Sequence, residues 1–202
     1  MAEDRAPRTL VIACGALTRE LRAVFRQIPG ADDRCTVTYL PAHLHNRPAE
    51  IPGAVARAAA EAGGGFDRLL VAYADCGTGG LLDPVVERLG ATRLPGAHCY
   101  EVFAGSPRFA ALADAEPGTF YLTDYLARHF DALVVAGLGL DTHPELRDQY
   151  FAHYARVVLL SQSSDPAVVA MGEQAAATLG LEFVHEHVGF EPFAAAVRAG
   201  VS

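Results

Sequence analysis

The sequence predicts an α/β fold: a mostly parallel sheet with helices on both faces, in the Rossmann or flavodoxin manner, as a single domain over residues 1–202. Three observations carry this expectation. Short apolar runs alternate with segments of helical periodicity. The runs are apolar throughout, as in strands covered on both faces, and not alternating as in strands half open to water. Tight turns containing glycine follow the first and third runs, where strand gives way to helix. A length of 202 residues suits one medium α/β domain, and two related lobes are compatible with the same pattern.

Taken in order, residues 9–13 form the first strand, closed by Cys14-Gly15. In the following LTRELRAVFRQI, residues Leu17, Leu21, Val24, Phe25 and Ile28 recur at helical spacing. The unit repeats with a strand at 35–40, an alanine-rich helix at 48–62 and a fully apolar strand at 68–74. The glycines at 63–65 stop the second helix. A helix at 78–89 and a short strand at 92–95 lead into His98-Cys99-Tyr100-Glu101. Ser106-Pro107 opens another helix, TFYLTDYLARHF reads as a further one, and DALVVAGLGL, containing residues 132–140, as a buried helix. Thr142-His143-Pro144-Glu145 has capping-box spacing and starts a helix running to about residue 153. The alternation resumes with a strand at 156–160, a helix from 165, a strand at 182–187 and a final helix, with right-handed crossovers expected throughout.

Composition removes several function classes. The net charge is −8 and all 16 basic residues are arginine, so no basic stripe is offered to a phosphate backbone and nucleic acid is not expected as a partner. The lack of lysine excludes Schiff-base chemistry and a P-loop. No apolar run reaches the ~20 residues of a membrane span, and MAEDRAPRT lacks a signal pattern, so a cytoplasmic protein with no membrane partner is expected. Four cysteines in that compartment are expected as thiols and not as disulfides.

Ligands of open parallel sheets bind beyond the carboxyl ends of the strands, near the point where strand order reverses. Cys14 and Cys76 both end strands, and a strand order of 2-1-3-4 makes those strands neighbours, with the strand before Cys99 one further along. Three thiols then converge. A cysteine just before a helix feels the positive end of the helix dipole, which favours thiolate, the form that attacks and that binds metal. A small apolar residue filling space is the structural alternative at each position. The expected metal ligands are Cys14, Cys76, Cys99 and His98, a donor set that suits zinc or another thiolate-bound metal. His98, Glu101 and Asp75 are the candidate catalytic groups. Gly77, Thr78, Gly79 and Gly80 offer backbone N–H groups as an anion nest, or simply a turn that packs a helix closely. His43 and His45 fall at i, i+2, and His45 with Arg47 is assigned to the ligand side. His185 and His187 share one face of a late strand as weaker candidates, and Cys35 is read as core packing.

The motifs ACGAL, LPAHLHNRP, YADCGTGG, PGAHCYE and GLGLDTHPELRDQYF resemble those of an uncharacterised bacterial and archaeal family, domain of unknown function 1638. Its members are often encoded beside corrinoid-dependent methyltransferases of the trimethylamine type and their activators. The resemblance therefore implies one-carbon metabolism, a small-molecule substrate, and a corrinoid protein or methyltransferase as partner; a homodimer is compatible with it. Quinolinate synthase and the diphthamide radical enzymes similarly draw one cysteine from each of three α/β units to hold a 4Fe-4S cluster. Two alternatives stand beside an enzyme or a metal-handling accessory. The turn from Asp75 to Leu81 is similar to the DSGVGGL turn of cofactor-independent aspartate/glutamate racemases, which implies Cys14 and Cys76 as paired acid and base. A non-catalytic module docking a corrinoid methyltransferase is the other.

Overall fold

The structure is a computed structural model and describes residues 6–201. It is an α/β fold with two parallel sheets, of four and three strands, and helices around them. The described residues divide into two compact units. One runs to Val102 and resumes at Phe193; the other is Phe103–Pro192.

The first unit contains strands β1 (Thr9–Cys14), β2 (Cys35–Leu40), β3 (Arg68–Ala72) and β4 (Thr92–Arg93). Their order is β2-β1-β3-β4, all parallel, which is the order from which the convergence of cysteines was argued. β1 is buried along its whole length because neighbours cover both edges and helices both faces; Val11 and Ile12 are fully inaccessible. Each such side chain stabilises the fold by roughly 1.5–3 kcal/mol. Helices α1 (Thr18–Phe25), α2 (Ala31–Arg34), α3 (Ile51–Ala62) and α4 (Asp83–Arg88) connect the strands. The chain leaves this unit within α5 (Cys99–Ala104) and re-enters it within α10 (Glu191–Val201), whose Phe193, Ala194, Val197 and Val201 are buried. Gly200 permits that return, since a Cβ there would come within 2.6 Å of Leu70 Cδ1 on β3.

The second unit contains β5 (Thr119–Thr123), β6 (Arg156–Ser161) and β7 (Glu182–His187) in that order, all parallel, with helices α6 (Ser106–Ala115), α7 (Asp124–Arg128), α8 (Leu146–Tyr150) and α9 (Pro166–Leu179). Here the structure departs from the sequence expectation. TFYLTDYLARHF is not one helix: TFYLT pairs with β6 as a strand and only Asp124–Arg128 is helical. Two threonines, a phenylalanine and a tyrosine suit a pleated surface, and Thr123 accepts the Leu126 N–H at 3.3 Å as the helix cap. Asp131–Val135 is helical, as a single π turn followed by further turns; Gly139, at φ +72°, ends it. The capping box at 142–145 does not form. Thr142 N–H is taken by Asp141, and the helix is confined to Leu146–Tyr150.

Candidate functional site at the carboxyl end of the first sheet

Four chain segments meet beyond the carboxyl ends of β1, β2, β3 and β4. β1 ends at Cys14, which lies opposite Leu40 of β2, and Ala13 pairs with Ala72 of β3. The chain turns sharply after Cys14 because residue 15 is glycine; a Cβ there would stand 3.0 Å from Leu40 O. β3 continues as Tyr73, Ala74, Asp75 and Cys76. Asp75 N–H donates to Gly96 O at 3.2 Å and Cys76 N–H to Ala97 O at 2.8 Å. These two bonds extend the β3–β4 pairing past the strands proper and bring Cys99 alongside Cys76. From the other edge, the 3₁₀ turn Ala42–Asn46 carries His45 over the sheet end.

The result is one cavity of about 20 Å³, room for a single water-sized body, lined by Cys14, Cys76, Cys99, His45 and Tyr73 among apolar neighbours. His45 Nδ1 lies 3.6 Å from Cys14 Sγ and 3.2 Å from Ala42 O. A carbonyl oxygen only accepts, so Nδ1 carries the proton and Nε2 the lone pair. The imidazole stacks on the Tyr73 ring, centroids 6.0 Å apart, with its outer edge in solvent. Tyr73 is 1% exposed; its hydroxyl faces Cys14 in a loose contact that does not meet hydrogen-bond geometry and has no other partner. Cys76 holds φ at +51°, the one positive value among the described non-glycine residues. A left-handed conformation of this kind costs of order 1 kcal/mol and tends to persist where function over-determines it.

Burial, and not the helix end, governs the thiols. Desolvation pushes Cys14 up to about 11, against a lowering hydrogen bond from Ala16 N–H to its sulfur. Desolvation and then the neighbouring Cys14 push Cys76 up to about 12. Cys99 is raised well above the ordinary thiol value by desolvation first, then by Cys76 and Cys14. All four cysteines are free, and the three in the cavity are protonated at neutral pH. His45 is lowered, chiefly by desolvation. Among the described residues, no three His, Cys, Asp or Glu side chains are grouped closely enough in this conformation to hold a metal ion.

The remaining sequence candidates fall around the cavity rather than in it. Asp75 occupies its own turn: its carboxylate accepts Thr78 Oγ1–H at 2.5 Å, Gly80 N–H at 2.8 Å and Gly79 N–H at 3.1 Å. Two glycine amides expected to cradle an external anion are thus turned on a carboxylate of the same loop, with the Thr78 bond the main cause of that carboxyl's lowered pKa. Gly77 packs over Pro48. His98 is exposed and stacks against Tyr100. Glu101 reaches back to accept Ala97 N–H at 2.9 Å and so fixes the entry to α5. Arg47 is exposed and pairs with Glu50 at 3.6 Å; His43 is exposed. Cys35, at the start of β2, lines no part of the cavity. Tyr73 escaped the sequence reading because a tyrosine in an apolar strand reads as core, and only the third-strand address beside Asp75-Cys76 could have singled it out.

The second unit holds a cluster at the carboxyl end of its sheet of which the sequence singled out only His185 and His187. Asp124, 5% exposed, accepts Gln162 N–H, Ser163 N–H and Ser163 Oγ–H, while Gln162 Oε1 accepts Asp124 N–H. Ser161 lies between His185 and His187.

A family model described as "Protein of unknown function (DUF1638)" matches residues 39–197, a stretch that contains His45, Tyr73, Cys76 and Cys99 and begins after Cys14. No curated protein matches the chain.

Proposed function

The chain belongs to the DUF1638 family, a membership that assigns no reaction, and from the cavity itself we propose that this is a metal-binding protein whose Cys14, Cys76 and Cys99 supply thiolates to one soft cation, with His45 as the fourth donor. The observation that carries the reading is the shared cavity: three thiols, from the end of β1, the turn after β3 and the start of α5, and one imidazole line a space of about 20 Å³. Such a space suits one zinc ion, and a four-iron cluster would need the surrounding loops to part. Rotation about χ1 re-aims each sulfur among staggered wells without moving the backbone, which is how donors that do not yet form a ligand group come to surround an ion. The ion also supplies the positive charge that the buried thiols lack. His45 replaces His98 in the ligand set because it lines the cavity and His98 does not; to act as the fourth donor its ring gives up the Nδ1–H contact with Ala42 O and turns a lone pair toward the ion. A two-thiol acid–base reading requires one of Cys14 and Cys76 as thiolate at neutral pH, and burial holds both as thiols.

The test is metal analysis of protein purified without oxygen and reconstituted with zinc or with iron and sulfide. One zinc per chain in a colourless protein is expected, with C14S, C76S and C99S each losing it and C35S retaining it. A stoichiometry unchanged in all three variants overturns the assignment, and a broad absorption near ~400 nm with several irons per chain replaces zinc by a cluster.

A further inference from the structure

Tyr73 carries its ring into the cavity wall and its hydroxyl toward Cys14, and that hydroxyl is buried without a hydrogen-bond partner. Its surroundings leave it no exit. Tyr73 is 1% exposed, its N–H is bonded to Val71 O at 2.8 Å, and the His45 imidazole stacks on its ring with centroids 6.0 Å apart. The segment that follows is pinned by the amides of Asp75 and Cys76, which donate to Gly96 O and Ala97 O. An orphaned buried hydroxyl is costly, and a neutral thiol does little to repay it, because its sulfur is a weak acceptor. A thiolate repays it well, since an ionised acceptor roughly doubles the strength of a hydrogen bond.

The charge of the centre points the same way. A divalent ion held by three thiolates and a neutral imidazole keeps one negative charge, and no charged side chain lines the cavity to offset it. Arg93 senses Cys76, but its guanidinium is committed to Asp83 and to the carbonyls of Leu94 and Gly96. Neutral donors must disperse the charge. Ala16 N–H already lies 3.4 Å from Cys14 Sγ, and the Tyr73 hydroxyl faces the same sulfur.

We infer that Tyr73 is a positioning residue of the metal centre: when Cys14 binds the ion as a thiolate, the Tyr73 hydroxyl donates to its sulfur, holds it toward the metal and disperses its charge. This rests on the three-thiolate reading of the cavity. The Cys14 proton leaves for solvent as the sulfur–metal bond forms, and the Tyr73 proton stays on its oxygen. One hydroxyl therefore acts with opposite sign in two states, opposing the fold beside a thiol and favouring it beside a metal thiolate.

The experiment compares Y73F with the unaltered full chain by zinc affinity in competition with a chelator, by urea unfolding with and without zinc, and by the sulfur-to-cobalt charge-transfer bands of cobalt(II)-loaded protein. Y73F is expected to keep one zinc per chain but to bind it about 10- to 100-fold more weakly. Its unfolding midpoint should lie at or above the parent's without zinc and below it with zinc. The charge-transfer bands should move to lower energy, because a sulfur without that hydrogen bond holds its electrons less tightly. A midpoint lowered equally in both states, with the bands unmoved, reduces Tyr73 to packing and overturns the inference. Unchanged affinity overturns it as well, and complete loss of zinc does so by making Tyr73 a ligand itself. Those three results leave the thiolate centre standing, whereas an unaltered chain that takes up no zinc overturns the centre and this inference together.

Discussion

Tyr73 places a hydroxyl in a cavity wall with no hydrogen-bond partner, against the rule that buried polar groups are paired. An orphaned buried hydroxyl costs about 1–3 kcal/mol, so its removal should not harm the metal-free fold. Y73F is accordingly expected to match or exceed the parent by up to about 1 kcal/mol in chemical denaturation; a clear destabilisation would show that the hydroxyl is bonded. The thiols beside it give a second expectation. Cys14 and Cys76 titrate at about 11 and 12 in the fold, against 9.0 for an ordinary thiol. Between those values the unfolded chain has released protons that the folded chain still holds, so folding stability falls as pH rises. The contribution is complete below about pH 9 and is lost progressively up to about pH 11–12. Urea unfolding of metal-free protein across that window should show the decline, and C14S should flatten part of it. An unchanged slope would mean that Cys14 ionises no less readily folded than unfolded.

At the scale of elements, the runs buried on both faces were legible, and mixed ones were not. TLVIA and RLLVA leave a strand as the only short apolar reading, whereas TFYLT runs into DYLAR without a turn residue and continues its apolar spacing. What separates them is pairing with β6, a long-range fact that local periodicity does not hold. The cost of that junction is met by Asp124, whose carboxylate gathers two amides and a hydroxyl from the loop leaving β6. D124N turns an amide N–H donor toward these donors while preserving shape, so about 2–4 kcal/mol of stability should be lost. A loss below about 0.5 kcal/mol, well under one ordinary hydrogen bond, would show that the loop is held by something else.

For the molecule as a whole, one rule made the first site legible: strand order together with the addresses of Cys14, Cys76 and Cys99 sufficed to bring three thiols to one end of one sheet. His45 was legible as a residue of the ligand side but not as the cavity neighbour of Cys14, because it arrives through a 3₁₀ turn that carries no periodic signal, while His98, which adjoins Cys99 in sequence, is exposed and lines no part of the cavity. Nor was the state of the thiols, since a dipole argument counts the helix end and omits desolvation, which here is larger. That omission bears on how the whole molecule would respond to zinc. Three thiols protonated at neutral pH must release about three protons when one ion binds, so apparent affinity should climb by up to about a thousandfold per pH unit around neutrality. Binding to the folded chain alone also raises its stability, by about 2.7 kcal/mol at a hundredfold excess over Kd. Calorimetry in buffers of different ionisation enthalpy reads the proton count directly, and thermal unfolding with and without zinc reads the linkage. Release of one proton or fewer would mean that the thiols were already ionised or do not bind the ion, and a midpoint shift that persists in C99S would place the zinc elsewhere on the molecule.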